Sequence, residues 1–240
     1  LELLGAARLS LRLASDKPLA FLVARLCDVA PDGSSVRIAH GMLNLCHRRS
    51  REEPEPMLPG VPEDVVLVLD QMGYRLAAGH RLRLALSTTY WPFVWPSPEA
   101  ARLEITEASL DLPVHQGTGV DWTPPAAETA APWKHRVLRE GRSGRRIETD
   151  LIAGRHVLVV EEDLGETENL THGLVTGERM VERWEVGADP LSARVEIDWE
   201  QHLSRGDWRV RTRAETVMTA SDTRLRMRAV LTAWEGDDIV

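Results

Sequence analysis

From Ala193 to Leu231 apolar and charged residues trade places at nearly every step, a period of two that a helix cannot use and a half-covered sheet requires. Ala193, Val195, Ile197 and Trp199 interleave with Arg194, Glu196, Asp198 and Glu200. Trp208, Val210, Thr212 and Ala214 interleave with Arg209, Arg211, Arg213 and Glu215, and Leu225, Met227, Ala229 and Leu231 with Arg224, Arg226 and Arg228. Three strands of a meander follow, joined at "SRGD" and "TASD". A two-residue turn at Arg205-Gly206 would set Asp198 opposite Arg213 and Glu200 opposite Arg211. One at Ala220-Ser221 would set Glu215 opposite Arg226. Both registers bring opposite charges together and keep the apolar residues on one face. The arginines could instead gather an anionic ligand, but the interleaved carboxylates favour a solvated charge ladder.

The same period runs through the first half. Leu9 to Leu13 alternates, Phe21 to Val29 is apolar on both faces like an inner sandwich strand, and Val36 to Leu45 resumes after the "APDGSS" turn. Arg48 to Pro62, charged and rich in proline, reads as a long surface loop. Val65 to Leu69 is a short buried strand, Tyr74 to Ala78 another strand, then Arg81 to Leu86 and Ala101 to Thr106. Helix signals are poor throughout, so the fold class is all-β. Periodicity vanishes from Pro113 to Pro132 in a Pro/Ala/Gly/Thr mixture that includes Gly117-Thr118-Gly119. The expected organisation is a β-sandwich over 1–113, a linker over 114–132 and a second antiparallel β lobe over 133–240.

Charge and composition narrow the function. A net charge of -8 disfavours nucleic acid as a partner. No apolar run approaches the ~20 residues of a bilayer span, so no membrane partner is expected and a cytoplasmic, soluble protein is. Cys27 and Cys46 lack metal or redox spacing and read as two buried free thiols. The chain opens on Leu1 inside strand-like sequence, as a piece of a longer polypeptide would. No G-x-S-x-G, H-E-x-x-H, P-loop or EF-hand pattern occurs, and the eight histidines show no ligand spacing, so neither catalytic residues, a metal site nor a cofactor is expected.

One stretch stands apart: "GHRLRLALSTTYWPFVWPSP", residues 79–98. His80 shares the parity of Leu82, so it is expected to point inward and be hydrogen-bonded. Pro92, Pro96 and Pro98 end sheet pairing, which leaves Tyr90, Trp91, Phe93 and Trp95 on a loop. Large rings there plug one end of a sandwich, dock a neighbouring domain or stack a ligand such as a sugar. These four are the candidate binding or docking residues.

The string "PLAFLVARLCDVAPDGSSVRIAHGMLNLCHR" at 18–48, followed by "VVLVLDQMGYRLAAGHRLRLALSTTYWP" at 65–92, resembles the C-terminal domain of the X-prolyl dipeptidyl-peptidase family. This peptidase S15 group includes the cocaine-esterase-like CocE/NonD serine hydrolases. The resemblance covers about the first half of the chain and implies a jelly-roll, galactose-binding-like β-sandwich attached to a catalytic α/β-hydrolase domain. The family's catalytic Ser, Asp and His lie in that other domain, so none transfers to a position here. Gly79, His80 and Arg81 match the family's strand entry and read as architectural. The implied role is a non-catalytic accessory domain that packs on the hydrolase domain and shapes substrate access or assembly. Its rivals are a carbohydrate-binding module with Trp91, Phe93 and Trp95 as the platform, and a homo-oligomerisation unit.

Overall fold

A computed structural model describes residues 1–117, 119 and 122–240. The chain divides into two compact units, Leu1–Thr123 and Pro124–Val240. The linker reading of 114–132 includes Thr118, Val120 and Asp121, which lie outside the described residues. Among the described residues no helix is long and apolar enough to cross a membrane.

Among the described residues the first unit holds six strands: β1 (Glu2–Ser15), β2 (Phe21–Val29), β3 (Ser35–Asn44), β4 (Glu63–Arg75), β5 (Arg81–Ser87) and β6 (Leu103–Asp111). They form two antiparallel three-stranded sheets, ordered β4-β1-β6 and β3-β2-β5. Leu9, Leu11 and Leu13 of β1, Val65, Leu67 and Leu69 of β4, and Leu22, Ala24 and Leu26 of β2 share one buried cluster. Alternate residues of these strands supply that cluster because the pleat sends every second side chain inward.

Three expectations for this unit change. Val65–Leu69 and the start of the Tyr74–Ala78 stretch belong to one strand, β4, because an irregularity opposite Ala6 and Arg8 absorbs an extra residue between Val68 and Gln71. That bulge shifts the buried parity from Leu69 to Met72 without ending the ladder. The Arg48–Pro62 loop, read as surface, is anchored inside: Met57 is buried, and Met57, Glu55 and Gly60 donate backbone bonds to Pro18, Cys46 and Ser15. Both cysteines are free, Cys46 buried and Cys27 half-buried rather than buried.

The second unit is one antiparallel sheet. Its strands are β7 (His135–Arg139), β8 (Arg142–Asp150), β9 (Arg155–Asn169), β10 (Leu174–Val186), β11 (Arg194–Arg205), β12 (Trp208–Ala220), β13 (Leu225–Glu235) and β14 (Asp238–Ile239). The order is β14-β13-β12-β11-β10-β9-β7, with β8 also on β9. Val159, Val160, Ala193 and Val195 are the only buried apolar side chains among the described residues of this unit. A single layer offers its pleat no opposing face, so the alternation in β13 does not translate into burial: Leu225, Met227 and Leu231 are 60%, 73% and 71% exposed.

The meander has the expected strands but shifted registers. Arg205 pairs with Trp208, so the turn is Gly206-Asp207, and Gly206 takes φ +60° at the first turn position. Asp198 therefore faces Glu215, and Glu200 faces Arg213. The expected ion pairs survive as diagonals: Arg213 Nε donates to Asp198 at 3.0 Å, and Arg211 lies 3.7 Å from Glu200. Between β12 and β13 a four-residue loop, closed by Ser221 N–H on the Arg224 carbonyl, replaces the expected two-residue turn. Glu215 consequently faces Val230, not Arg226.

An acid response is expected from one corner of this sheet. Arg139 Nη1 and the Gly165 N–H both donate to Asp163, at 2.7 and 2.9 Å, which lowers the pKa of its carboxyl to about 2. A depressed carboxyl stabilises the fold above its unfolded value of roughly 4 and loses that contribution as pH falls toward 2. Thermal melts between pH 5 and 2 should show this loss, and Asp163→Asn should be less stable at pH 7 with a flatter acid limb. Identical limbs in both proteins would remove Asp163 from the response.

Candidate docking site: an aromatic loop on an arginine face

Strand β2 turns Leu22, Ala24 and Leu26 toward the core and carries Arg25 and Cys27 on the opposite face. Across the ladder, Cys27 pairs with Arg37 of β3 and Arg83 of β5, while Arg25 pairs with His40 and Ala85, and Val29 with Arg81. Directly paired residues share a face, so Arg25, Arg37, Arg81 and Arg83 gather on the outer side of this three-stranded sheet. Among the described residues none of the four has a carboxylate within ion-pair distance. Elsewhere in the unit Arg12, Arg48, Arg49 and Arg75 are paired with Asp64, Glu63, Glu55 and Glu2.

The loop after β5 folds back over two of these arginines, Arg25 and Arg37. It makes one tight turn, with the Val94 N–H donating to the Tyr90 carbonyl at 2.9 Å, and contains a cis Trp91-Pro92 bond. Tyr90 and Phe93 stack at 4.9 Å, and the Arg25 guanidinium sits 5.2 Å from the Tyr90 ring. Arg37 lies 5.5 Å from the Phe93 ring and donates to the Tyr90 hydroxyl. His40 meets both rings edge-on and has its Nδ1 2.7 Å from Asp70. Trp91 and Trp95 form a separate edge-to-face pair at 5.2 Å. The four aromatics named from the sequence thus divide into two pairs, and only Tyr90 and Phe93 rest on the arginines. Phe93 remains 61% exposed. Arg25 Nε and Trp95 Nε1 are buried without a hydrogen-bond partner among the described residues.

Sequence reasoning misses Arg25 and Arg37. The available signal is a cation in the middle of a mostly apolar strand, Phe21–Val29, whose other charge is Asp28; a cation there is costly unless something receives it. Cation and ring attract through the ring quadrupole, worth roughly 0.5–2 kcal/mol as water is excluded.

His80 is hydrogen-bonded, as its parity suggests. Its Nδ1 lies 2.8 Å from Asp28 Oδ1, and the Tyr74 hydroxyl donates to Asp28 Oδ2 at 2.7 Å. Tyr74 and His80 hold the Asp28 carboxyl below its usual range, against the opposing effect of burial. The three side chains tie β2, β4 and the entry of β5 together. Among the described residues no hydroxyl or thiol bonds to the His80 ring. One hydroxyl does stand beside an imidazole, Thr149 Oγ1 at 3.1 Å from His156 Nδ1, but the two are exposed cross-strand neighbours with no carboxylate orienting the ring among the described residues. No three potential ligands converge as a metal site among the described residues.

The trough on the charged face of the second unit, about 500 Å³ in volume, is lined by Arg179, Arg183 and Arg213 together with Glu196, Asp198 and Glu200. Its signs are mixed and its arginines partly paired, as in a solvated ladder.

A solved structure of an aminopeptidase from the marine sediment archaeon Thaumarchaeota archaeon is similar at 14% identity and a TM-score of 0.44, over 46% of this chain and 23% of that one. No curated protein matches the chain. The model of the X-Pro dipeptidyl-peptidase C-terminal non-catalytic domain matches residues 1–148, continuing past the stretch whose motifs carry the sequence resemblance and ending within β8. That match covers more than half of the sequence, and the chain belongs to the family of X-Pro dipeptidyl-peptidase C-terminal non-catalytic domains.

Proposed function

We propose that this chain is the accessory part of a serine hydrolase acting on esters, amides or Xaa-Pro peptides, and that its arginine-aromatic face docks on the catalytic α/β-hydrolase domain of the same polypeptide. The observation that carries this reading is the convergence of four arginines lacking carboxylate partners, among the described residues, with the Tyr90–Phe93 stack on one side of a sheet. Arginine and aromatic residues dominate the energetics of protein interfaces, and stacking already fixes the rings in place here. Docking would supply carboxylates or carbonyls to the guanidinium groups and cover Phe93. Placed near the entrance to the hydrolase site, the loop would limit which substrates enter.

The carbohydrate reading has less support. A sugar-stacking platform needs several open ring faces, whereas Tyr90 is covered by Phe93 and Arg25, Trp91 and Trp95 meet edge-to-face, and Phe93 alone is exposed, with Tyr90 stacked on it and Arg37 5.5 Å from its ring. Titrating the chain against the separately produced hydrolase domain should give a one-to-one complex by sedimentation. Combining Arg37→Glu with Phe93→Ala should weaken it by about thirtyfold or more, since a single interface anchor of these types contributes roughly 2 kcal/mol. Undiminished association, with the variant folded, would remove this face from the interface.

A further inference from the structure

Strand β13 has an open outer edge, and its hydrogen-bond parity can be read from two backbone bonds. Gly236 N–H donates to the Arg209 carbonyl, and Ser221 N–H to the Arg224 carbonyl, so the even-numbered residues of this strand bond inward to β12. The odd-numbered residues turn their N–H and C=O groups outward. Of these, Ala233 is met by the Val240 N–H, and β14 pairs only with Trp234 and Glu235. Leu225, Met227, Ala229 and Leu231 are left facing outward along roughly 20 Å of strand.

The side chains along that edge are sorted by chemistry. Leu225, Met227 and Leu231 are exposed on one face of the sheet. Arg224, Arg226 and Arg228 lie on the other, with no carboxylate in ion-pair distance among the described residues. The interior strands differ: Arg213 and Arg211 reach Asp198 and Glu200, and Arg183 reaches Glu148. The interior strands carry carboxylates among their arginines, whereas residues 225–231 of β13 contain none.

We infer that the outer edge of β13 accepts an extended segment of a partner polypeptide, added antiparallel as a further strand, with carboxylates at alternate positions and apolar residues between them. Such a segment would bond the outward groups of residues 225–231. Its carboxylates would stand opposite Arg226 and Arg228 in the closely spaced, non-hydrogen-bonded pairs, and its apolar side chains would extend the row of Leu225, Met227 and Leu231. A second copy of β13 is a poorer occupant because it brings its own three arginines to the same face.

The test uses the 240-residue chain and the labelled peptide Val-Glu-Ile-Glu-Val-Glu-Val, with Val-Lys-Ile-Lys-Val-Lys-Val as control, read by fluorescence anisotropy. The acidic peptide should bind saturably, more weakly at higher salt, and the lysine peptide should not bind. Arg226→Glu with Arg228→Glu should lower the association by about tenfold or more. Ala229→Pro should abolish it, since the proline removes an outward N–H and no bond to β12. Far-UV circular dichroism identifies any variant that fails to fold, and the arginine pair tests the inference independently of the proline. Equal binding of both peptides, or binding unchanged in the folded arginine variant, would overturn the inference. So would a dimer of the free chain that Ala229→Pro dissolves, because the edge would then belong to a second copy.

Discussion

Replacing Glu63 with alanine is expected to destabilise the first unit by about 2–4 kcal/mol, the cost of taking from a buried guanidinium its bidentate partner and leaving it Glu55 at 3.6 Å. The Arg48 side chain is only 1% exposed, and its Nε and Nη2 donate to the two Glu63 oxygens at 2.8 and 2.9 Å. Its Nη1 donates to the Leu45 and Glu55 carbonyls, so the guanidinium also fixes the proline-rich loop. Arg48 holds the Glu63 carboxyl below its usual range, chiefly through these hydrogen bonds. Exposed ion pairs such as Arg12–Asp64 should contribute far less, because water replaces either partner. Urea denaturation of Glu63→Ala measures the effect. Replacing both partners by apolar residues, Arg48→Met with Glu63→Leu, should recover part of the loss, and a loss below about 1 kcal/mol in the single variant would contradict a buried pair.

A second large effect separates the two units. Leu26→Ala should cost about 2–5 kcal/mol, because Leu26 is fully buried between the sheets and its removal opens a cavity. Leu231→Ala makes the same chemical change at a site 71% exposed and should stay within about 0.5 kcal/mol. The pair of variants asks whether alternation in β13 is matched by a covering layer. A comparable loss at Leu231 would mean that its face is covered in solution.

The contrast shows what a sequence conveys and what it withholds. Period-two alternation locates the strands well, and Phe21–Val29 coincides with β2, because a strand's pattern is local. Registers are less local. The two-residue hairpin shift depends on whether Gly206 takes the first or second turn position, and an equal apolar parity on both strands leaves either choice open. Alternation also says which face is apolar without saying that anything covers it, so no local pattern announces the second unit's single layer. The aromatic residues of the site are legible as a cluster because prolines force them off the sheet. Their arginine floor is not, since Arg25, Arg37 and Arg83 become neighbours only when three strands are paired. Arg48 misleads for a related reason: a charge inside a proline-rich stretch signals surface until its partner, Glu63, is brought beside it.

The most direct measurement is turnover of p-nitrophenyl acetate by the 240-residue chain, alongside labelling with a serine-directed fluorophosphonate. Background hydrolysis and no labelled serine are expected of a non-catalytic domain. Saturable hydrolysis that the fluorophosphonate blocks, with the label on a residue of this chain, would contradict it.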